Sequence, residues 1–596
     1  MHTSLVDRHL PFFRVVSIWL FASFLLPSCH SEPEAPELSR PLDEVIVRLE
    51  AEPDQLNPVF ATMAASMQVY DQLFSYLLHY DPQSRQLAPQ LAEARPRVRL
   101  LEEGPQRGMR AFDFRIHDAA VWDDGEPITG HDFAFTLKVL FNPAVPAARY
   151  RAYLSFIRDL QVSPSDPKAF TVVADAEFMQ AEEYMATSIP VLPARHYDPE
   201  ALLQGFELSQ LLDPARSEEL ARDSLLLRFA EYFAQPSLGR EPEKVVGSGP
   251  YRLVGWASGS SIRLEKKEDW WGQALADDFP LLRNYPQALI YRIIPDGGTT
   301  VAALRATDID VAVNLPPTQF VELRESPAVA GQYRFFTPPQ NAYFFLYVNQ
   351  RRPLLEDRRV REALALAIDV DAIIEGVYRG FGERLAGPVL PSAPFSDPDL
   401  QPYPFDPEQA ARLLAEAGWD DSDNNGILER VINGETRELR LEYMFTAQRE
   451  TSRNMALLIQ DDLRAVGIEL ELTPREASEL FSRLRARDYD LVSAGRTLPL
   501  DLWNPKQEFH REGDNRTGFG NNTTDNLIDE ILTTTDEDRR LQLYRDLQRI
   551  IYREVPEIPL FTPTARIAIH RRFEPVLGPI YPHVLVSRFK LKAPYL

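Results

Sequence analysis

At 596 residues the chain is too long for one hydrophobic core, which stops growing near ~250–300 residues, so two or more lobes are expected. A net charge of −24 repels phosphate backbones and argues against nucleic acid as a partner. The single cysteine, Cys29, rules out a disulfide framework or a thiolate metal site, and the 49 prolines, many in turns such as Asp81-Pro82 and Asp397-Pro398, suit a loop-rich α/β protein better than a helical bundle.

Arg8, His9 and Arg14 precede an apolar run from Val15 to Leu26. That run is shorter than the ~20 residues that span a bilayer, and its charged-then-apolar order is that of a secretory signal. It ends Leu26-Pro27-Ser28-Cys29, which resembles the bacterial lipobox, whose Cys is acylated and becomes the first residue of the mature protein. Pro27 departs from the small or β-branched residue usual there, and a plain cleaved signal with an incidental Cys is the alternative. Residues 1–28 are therefore expected to be a signal peptide, Cys29 the lipidation site, and 29–42, polar, acidic and Pro-rich, a flexible tether.

From Asp43 onward short β-like runs alternate with amphipathic helices. Val45 to Leu49 reads as a first strand, Met67 to Leu78 as a helix, Arg110 to Ile116 as a half-buried strand with Phe112, Phe114 and Ile116 on one side, and His131 to Leu140 as a helix. Residues 199–245 are helical and charged, an insertion by appearance. Tyr251 to Leu264 predicts two strands about a Gly255–Gly259 turn, and Leu289 to Ile294 and Asn341 to Val348 predict further strands. Arg359 to Ile368 is a helix, and Asp369 is placed to cap the next, Asp371 to Arg379. Strands at Leu439–Phe445, Ile468–Leu472 and Leu491–Ala494, separated by helices Glu450–Val466 and Glu476–Ala486, predict parallel α/β layers.

Seven segments, in order, resemble the family-5 extracellular solute-binding proteins of ABC transporters, the dipeptide/oligopeptide-binding type. They are residues 56–93, 114–138 (FRIHDAAVWDDGEPITGHDFAFTLK), 247–272 (GSGPYRLVGWASGSSIRLEKKEDWWG), 303–311, 347–380, 417–428 (AGWDDSDNNGIL) and 489–505 (YDLVSAGRTLPLDLWNP). The resemblance implies an α/β, two-lobed periplasmic-binding-protein-like fold with an additional inserted domain and the ligand cleft between lobes. Lobe I would comprise 43–62, 186–335 and 565–596, including the insertion at about 199–245; the extra domain would be 63–185, and lobe II 336–564. It also implies a monomer of the bacterial cell envelope, periplasmic or on the cell surface, that captures short peptides and delivers them to a permease with its ATPase subunits.

A zwitterionic peptide stripped of water needs a carboxylate for its ammonium and a cation, best the fork of an Arg, for its carboxylate. In dipeptide-type members an Asp follows a small-Gly pair, with a Pro four residues on. Here Ala494-Gly495 is followed by Asp501 and Pro505, although the intervening loop is longer than in the pattern. A Gln-Arg pair supplies the carboxylate partner in those members, and Gln448-Arg449 makes Arg449 the candidate. Trp503, Tyr343 and Thr62 are candidates for lining side-chain pockets and Arg496 for the mouth of the same loop, while the aromatic run 343–347 also reads as buried core.

Asp421, Asp423 and Asn425, followed by Gly426, look like the front half of an EF-hand loop, but Ile432 stands where the bidentate Glu belongs, leaving a weak calcium candidate. The ten histidines show no paired zinc spacing. No GxSxG, HExxH or GxxxxGK[ST] element is present, so neither an enzyme nor a bound cofactor is expected. Alternatives are the same fold binding a nickel chelate, an oligosaccharide or haem, and a peptide-binding, chaperone-like surface lipoprotein.

Overall fold

The computed structural model describes residues 41–596 except 83, 177, 448, 499–501, 535, 579, 594 and 596. The signal segment, Cys29, Gln448 and Asp501 lie outside the described residues.

Among the described residues three larger sheets organise the chain. The first has seven strands, in the order Tyr333–Phe336, Ile567–His570, Val311–Ala312, Glu44–Leu49, Ala288–Ile293, Ser261–Lys266 and Tyr251–Ala257. Glu44–Leu49 pairs in parallel with Ala288–Ile293, and Val45 through Leu49 are all buried, the near-continuous apolar run of a strand covered on both faces. The second has six strands, in the order Gly382–Arg384, Glu557–Pro563, Ala342–Val348, Leu491–Thr497, Arg440–Thr446 and Glu469–Arg475. Its last three strands run parallel, linked by helices Glu450–Arg464 and Ala477–Ala486, as the alternation predicts. Ala342–Val348 is antiparallel to both its neighbours, so the layer is mixed. A four-stranded antiparallel sheet, Arg97–Leu100, Arg110–Arg115, Ala169–Ala174 and Ile157–Val162, stands apart from both.

The helix expected over Met67 to Leu78 stops early: it spans Ala64–Tyr70, and Leu78–Tyr80 is a strand. The reason is tertiary. The carbonyl of Leu73 accepts the Gly249 N–H at 2.8 Å and that of Gln72 accepts the Tyr251 N–H at 3.2 Å, so these carbonyls serve another segment. A Cβ at Gly247 would lie 2.2 Å from the Leu73 carbonyl oxygen, which explains the glycines of the GSGP run as a close backbone approach. Elsewhere the pattern holds. Asp369 caps helix Val370–Tyr378 by accepting the Ala372 N–H at 2.9 Å, and residues 199–245 carry only short helices, the longest Ser224–Phe233.

Packing divides the molecule into two units. One continuous apolar cluster joins the seven-stranded sheet to the four-stranded domain, with Val47, Tyr291, Phe114, Phe133 and Phe170 in the same core. The six-stranded sheet builds separate clusters against its own helices, and a further cluster forms among helices Lys506–Phe509, Asn522–Thr533 and Glu537–Glu554. The chain crosses between these units at residues 337–341 and again at 564–566. The two crossings are hydrogen-bonded to each other, Ala565 N–H to the Pro338 carbonyl at 2.8 Å and Gln340 N–H to that of Pro563 at 2.9 Å. Two adjacent crossing segments between separately packed bodies have the form of a hinge.

Candidate functional site

A cavity of about 1610 Å³ lies between the two units. One wall is the four-stranded domain and its flanks, with Arg107, Tyr153, Phe156, Arg158, Asp175 and Tyr184. The other belongs to the six-stranded sheet, with Arg496, Thr497, Leu498, Trp503, Lys506 and Glu508. The walls touch at one side, where the Gln180 amide donates to the Leu502 carbonyl at 3.4 Å. Strands Arg440–Thr446 and Leu491–Thr497 are parallel, with Met444 opposite Val492, and the residues ending the latter line the cavity. The site therefore sits off the carboxyl ends of the parallel strands, where open α/β sheets bind ligands.

The floor on the six-stranded side is an ion pair. Arg496 faces Tyr343 across the antiparallel ladder, and Glu557 faces Tyr347, so both belong to the face that carries Tyr343, Phe345 and Tyr347. The Arg496 guanidinium donates from Nη1 and Nη2 to the two oxygens of Glu557, each at 2.7 Å. It lies 4.6 Å from the Phe345 ring centroid and 5.2 Å from that of Tyr343. The Arg496 side chain is 18% exposed and that of Glu557 2%. Burial opposes the charge on Arg496, but Glu557 and then Glu508 outweigh it and hold its pKa above the ordinary value. Burial pushes the Glu557 carboxyl up, partly offset by Arg496.

Two further cavity cations are paired: Arg158 with Asp175, and Lys506 with Asp529 at 3.7 Å and Glu512 at 3.8 Å. Glu508 is different. One of its carboxylate oxygens is buried and hydrogen-bonds to no described residue.

The structure brings some of the sequence-derived candidates together. Arg496 and Trp503 line the cavity. Trp503 is buried between Phe395 and Tyr544, its ring 5.9 Å from that of Tyr544. Tyr343 lies beneath the lining, buried, with its ring stacked on Phe345 at 4.6 Å, so the core reading holds for it. Thr62 lines a separate pocket of about 490 Å³ and gives its hydroxyl to Asp54 at 2.7 Å. Arg449 is the exposed residue before helix Glu450–Arg464; it stands at the same sheet edge as Arg496 but outside the cavity lining. Glu557 and Glu508 were not singled out from the sequence. The signal for Glu557 was present, an acid heading the otherwise apolar strand Glu557–Pro563.

In the turn at 421–426, the Asp421 carboxylate accepts the N–H groups of Asn425 and Gly426, and Gly426 adopts φ +88°. Asp421, Asp423 and Glu429 bring carboxylate oxygens within 4.8 Å of one another, and the Asn425 amide nitrogen donates to Asp423 and Glu438.

Comparison with known proteins agrees with this architecture. The Bacillus subtilis oligopeptide-binding protein AppA is 23% identical over 545 residues, covering 89% of this chain and 88% of its own. The Haemophilus influenzae heme-binding protein A is 26% identical over 352 residues, 57% of this chain and 59% of its own. The solved structure of Bacillus subtilis AppA in complex with a nonapeptide superimposes with a TM-score of 0.60 at 21% identity, covering 92% of this chain and 99% of that one, a likeness of fold. Residues 86–505 match the model of the bacterial extracellular solute-binding proteins, family 5 middle region, and the chain belongs to that family, the solute-binding proteins of ABC importers.

Proposed function

We propose that this chain is a membrane-anchored receptor that captures short peptides between its lobes and hands them to an ABC permease, without catalysing a reaction. The observation that carries this reading is the cavity: about 1610 Å³, lined by charges of both signs and by aromatic rings. Sites that enclose a single drug-sized molecule measure roughly 300–1,000 Å³, so the space suits a peptide of several residues better than a small metal chelate. Aromatic and aliphatic walls accept varied side chains, while fixed charges orient the backbone ends. Asp501 is assigned to the peptide ammonium and Arg449 to its carboxylate. Arg449 has no ionic partner among the described residues and stands at the edge that hinge closure would carry over the ligand. Acylation at Cys29 would hold the receptor at the membrane surface, and among the described residues no helix is long and apolar enough to cross one.

Native mass spectrometry of the purified full chain tests the reading. A heterogeneous added mass of a few hundred daltons or more that fragments into peptides is expected; a single haem, sugar or metal complex would replace peptide as the ligand. Asp501→Ala should weaken binding of free-amine peptides far more than of N-acetylated ones, and equal losses would remove Asp501 from the role.

A further inference from the structure

The charges on the six-stranded wall do not balance. Arg496 is fully engaged by Glu557, with both oxygens of that carboxylate bonded at 2.7 Å, so it has no free fork for a ligand carboxylate. Glu508, two residues beyond Lys506 on the short helix Lys506–Phe509, lies within electrostatic reach of Arg496 and Glu557 and lines the cavity. The trio of Arg496, Glu557 and Glu508 thus carries one uncompensated negative charge. Lys506, the nearest cation in sequence, is turned to Asp529 and Glu512. Glu508 forms no ion pair with any described residue, and one of its oxygens is removed from solvent without a hydrogen-bond donor. A partly desolvated carboxylate without a donor is costly, and the cost is relieved when a cation arrives.

We propose that Glu508 is a cation seat of the peptide site, distinct from Asp501, which receives a primary ammonium or guanidinium of the ligand. This rests on the peptide reading above and deepens it: the preferred ligands are peptides that bring at least one positive charge to the six-stranded wall. The chemistry is shared by two sources, the α-ammonium and a basic side chain. Arg496 and Glu557 serve as the platform: because Glu557 already neutralises Arg496, Glu508 keeps its charge for the ligand.

Calorimetric titration of the purified full chain and its Glu508→Gln variant with four alanine-based pentapeptides tests this: free or acetylated at the amino end, each with and without one lysine. The seat predicts that E508Q loses roughly tenfold to a hundredfold in affinity, the range of a hydrogen bond between charged groups, for ligands carrying the relevant cation, and little for the acetylated, lysine-free peptide. Loss that follows the free amine identifies the α-ammonium as the source; loss that follows lysine identifies the side chain. Equal loss for all four peptides, or no loss for any, overturns the seat while leaving the peptide reading intact. Wild-type protein that binds none of the four sinks the peptide reading and the seat with it. Glu508→Asp, which keeps the charge on a shorter arm, should recover part of the selective affinity; E508D matching E508Q on every peptide would overturn the assignment independently of any folding defect in one variant.

Discussion

Among the described residues, two arginine–carboxylate pairs, Arg572–Asp310 in one unit and Arg496–Glu557 in the other, differ in what surrounds them. Arg572 and Asp310 meet at 2.7 Å with neither side chain exposed. Asp310 also accepts the Ile46 N–H at 2.8 Å, and Arg572 donates to the Glu44 carbonyl at 2.8 Å, so the pair ties the first strand to segments more than 260 residues away in sequence. Arg496 and Glu557 are bonded as tightly, yet Arg496 keeps one side towards the cavity and a second acid, Glu508, stands near it. A buried pair contributes little net stability over an apolar replacement, but losing one partner strands a charge. The first pair is therefore expected to govern folding alone, and the second to couple folding to ligand.

The largest effect is expected from Asp310→Ala, which takes the facing carboxylate from the buried Arg572 and frees the Ile46 N–H. A loss of about 3–5 kcal/mol is expected in urea denaturation, with the affinity of the remaining folded protein unchanged. A fall in peptide affinity per folded molecule would break the distinction between the pairs. Glu557→Gln should cost less, about 1–3 kcal/mol, because Arg496 is partly exposed and can turn to Glu508. That turn would occupy the cation seat, so affinity for cationic peptides should drop roughly tenfold. Unchanged affinity in E557Q would mean that Arg496 does not exchange partners.

Asp71, half-buried, shows what a carboxylate does without an arginine partner. Burial raises its pKa to about 7, against the smaller opposing effect of the Tyr76 hydroxyl, which donates to it at 2.7 Å. The unfolded carboxyl releases its proton near 3.9. Between those values the folded state holds the extra proton, so Asp71 makes stability fall as pH rises from about 4 to 7, and its cost is fully present above 7. Asp71→Asn cannot titrate and keeps an acceptor for Tyr76. The variant should be more stable than wild type at pH 8 by on the order of 2 kcal/mol, with the advantage vanishing toward pH 4. Parallel melting curves across that range would refute the shift.

The strands were largely readable in the sequence because alternation and apolar runs reflect burial directly: Arg110–Arg115 and Ala342–Val348 lie within a residue of their expected bounds. The helix over Met67 to Leu78 was misread because its carbonyls bond to Gly249 and Tyr251, a contact between residues some 175 apart that local periodicity cannot encode. The site was less legible for the same reason. Arg496 and Trp503 came from a local pattern, whereas Glu557 and Glu508 acquire meaning only when the sheet sets one beside Arg496 and the short helix sets the other at the cavity. A charge pair across three strands leaves no spacing in the chain.

The smallest effects separate two guanidinium groups that have no ionic partner among the described residues. Arg107 lines the cavity from the loop between strands Arg97–Leu100 and Arg110–Arg115, exposed; Arg449 stands exposed at the edge of the six-stranded sheet. An exposed arginine on a loop holds a ligand charge in high dielectric, where such a pair is worth ~0–1 kcal/mol. Arg449 gains more only if the lobes close and exclude water around it. With free-acid and C-amidated peptides, Arg449→Ala should then lose roughly tenfold in affinity for the free acid and little for the amide, while Arg107→Ala should lose no more than about threefold for either. Selective loss in R107A with none in R449A would place the carboxylate on the four-stranded domain, and ligand binding would then need no closure to complete the site.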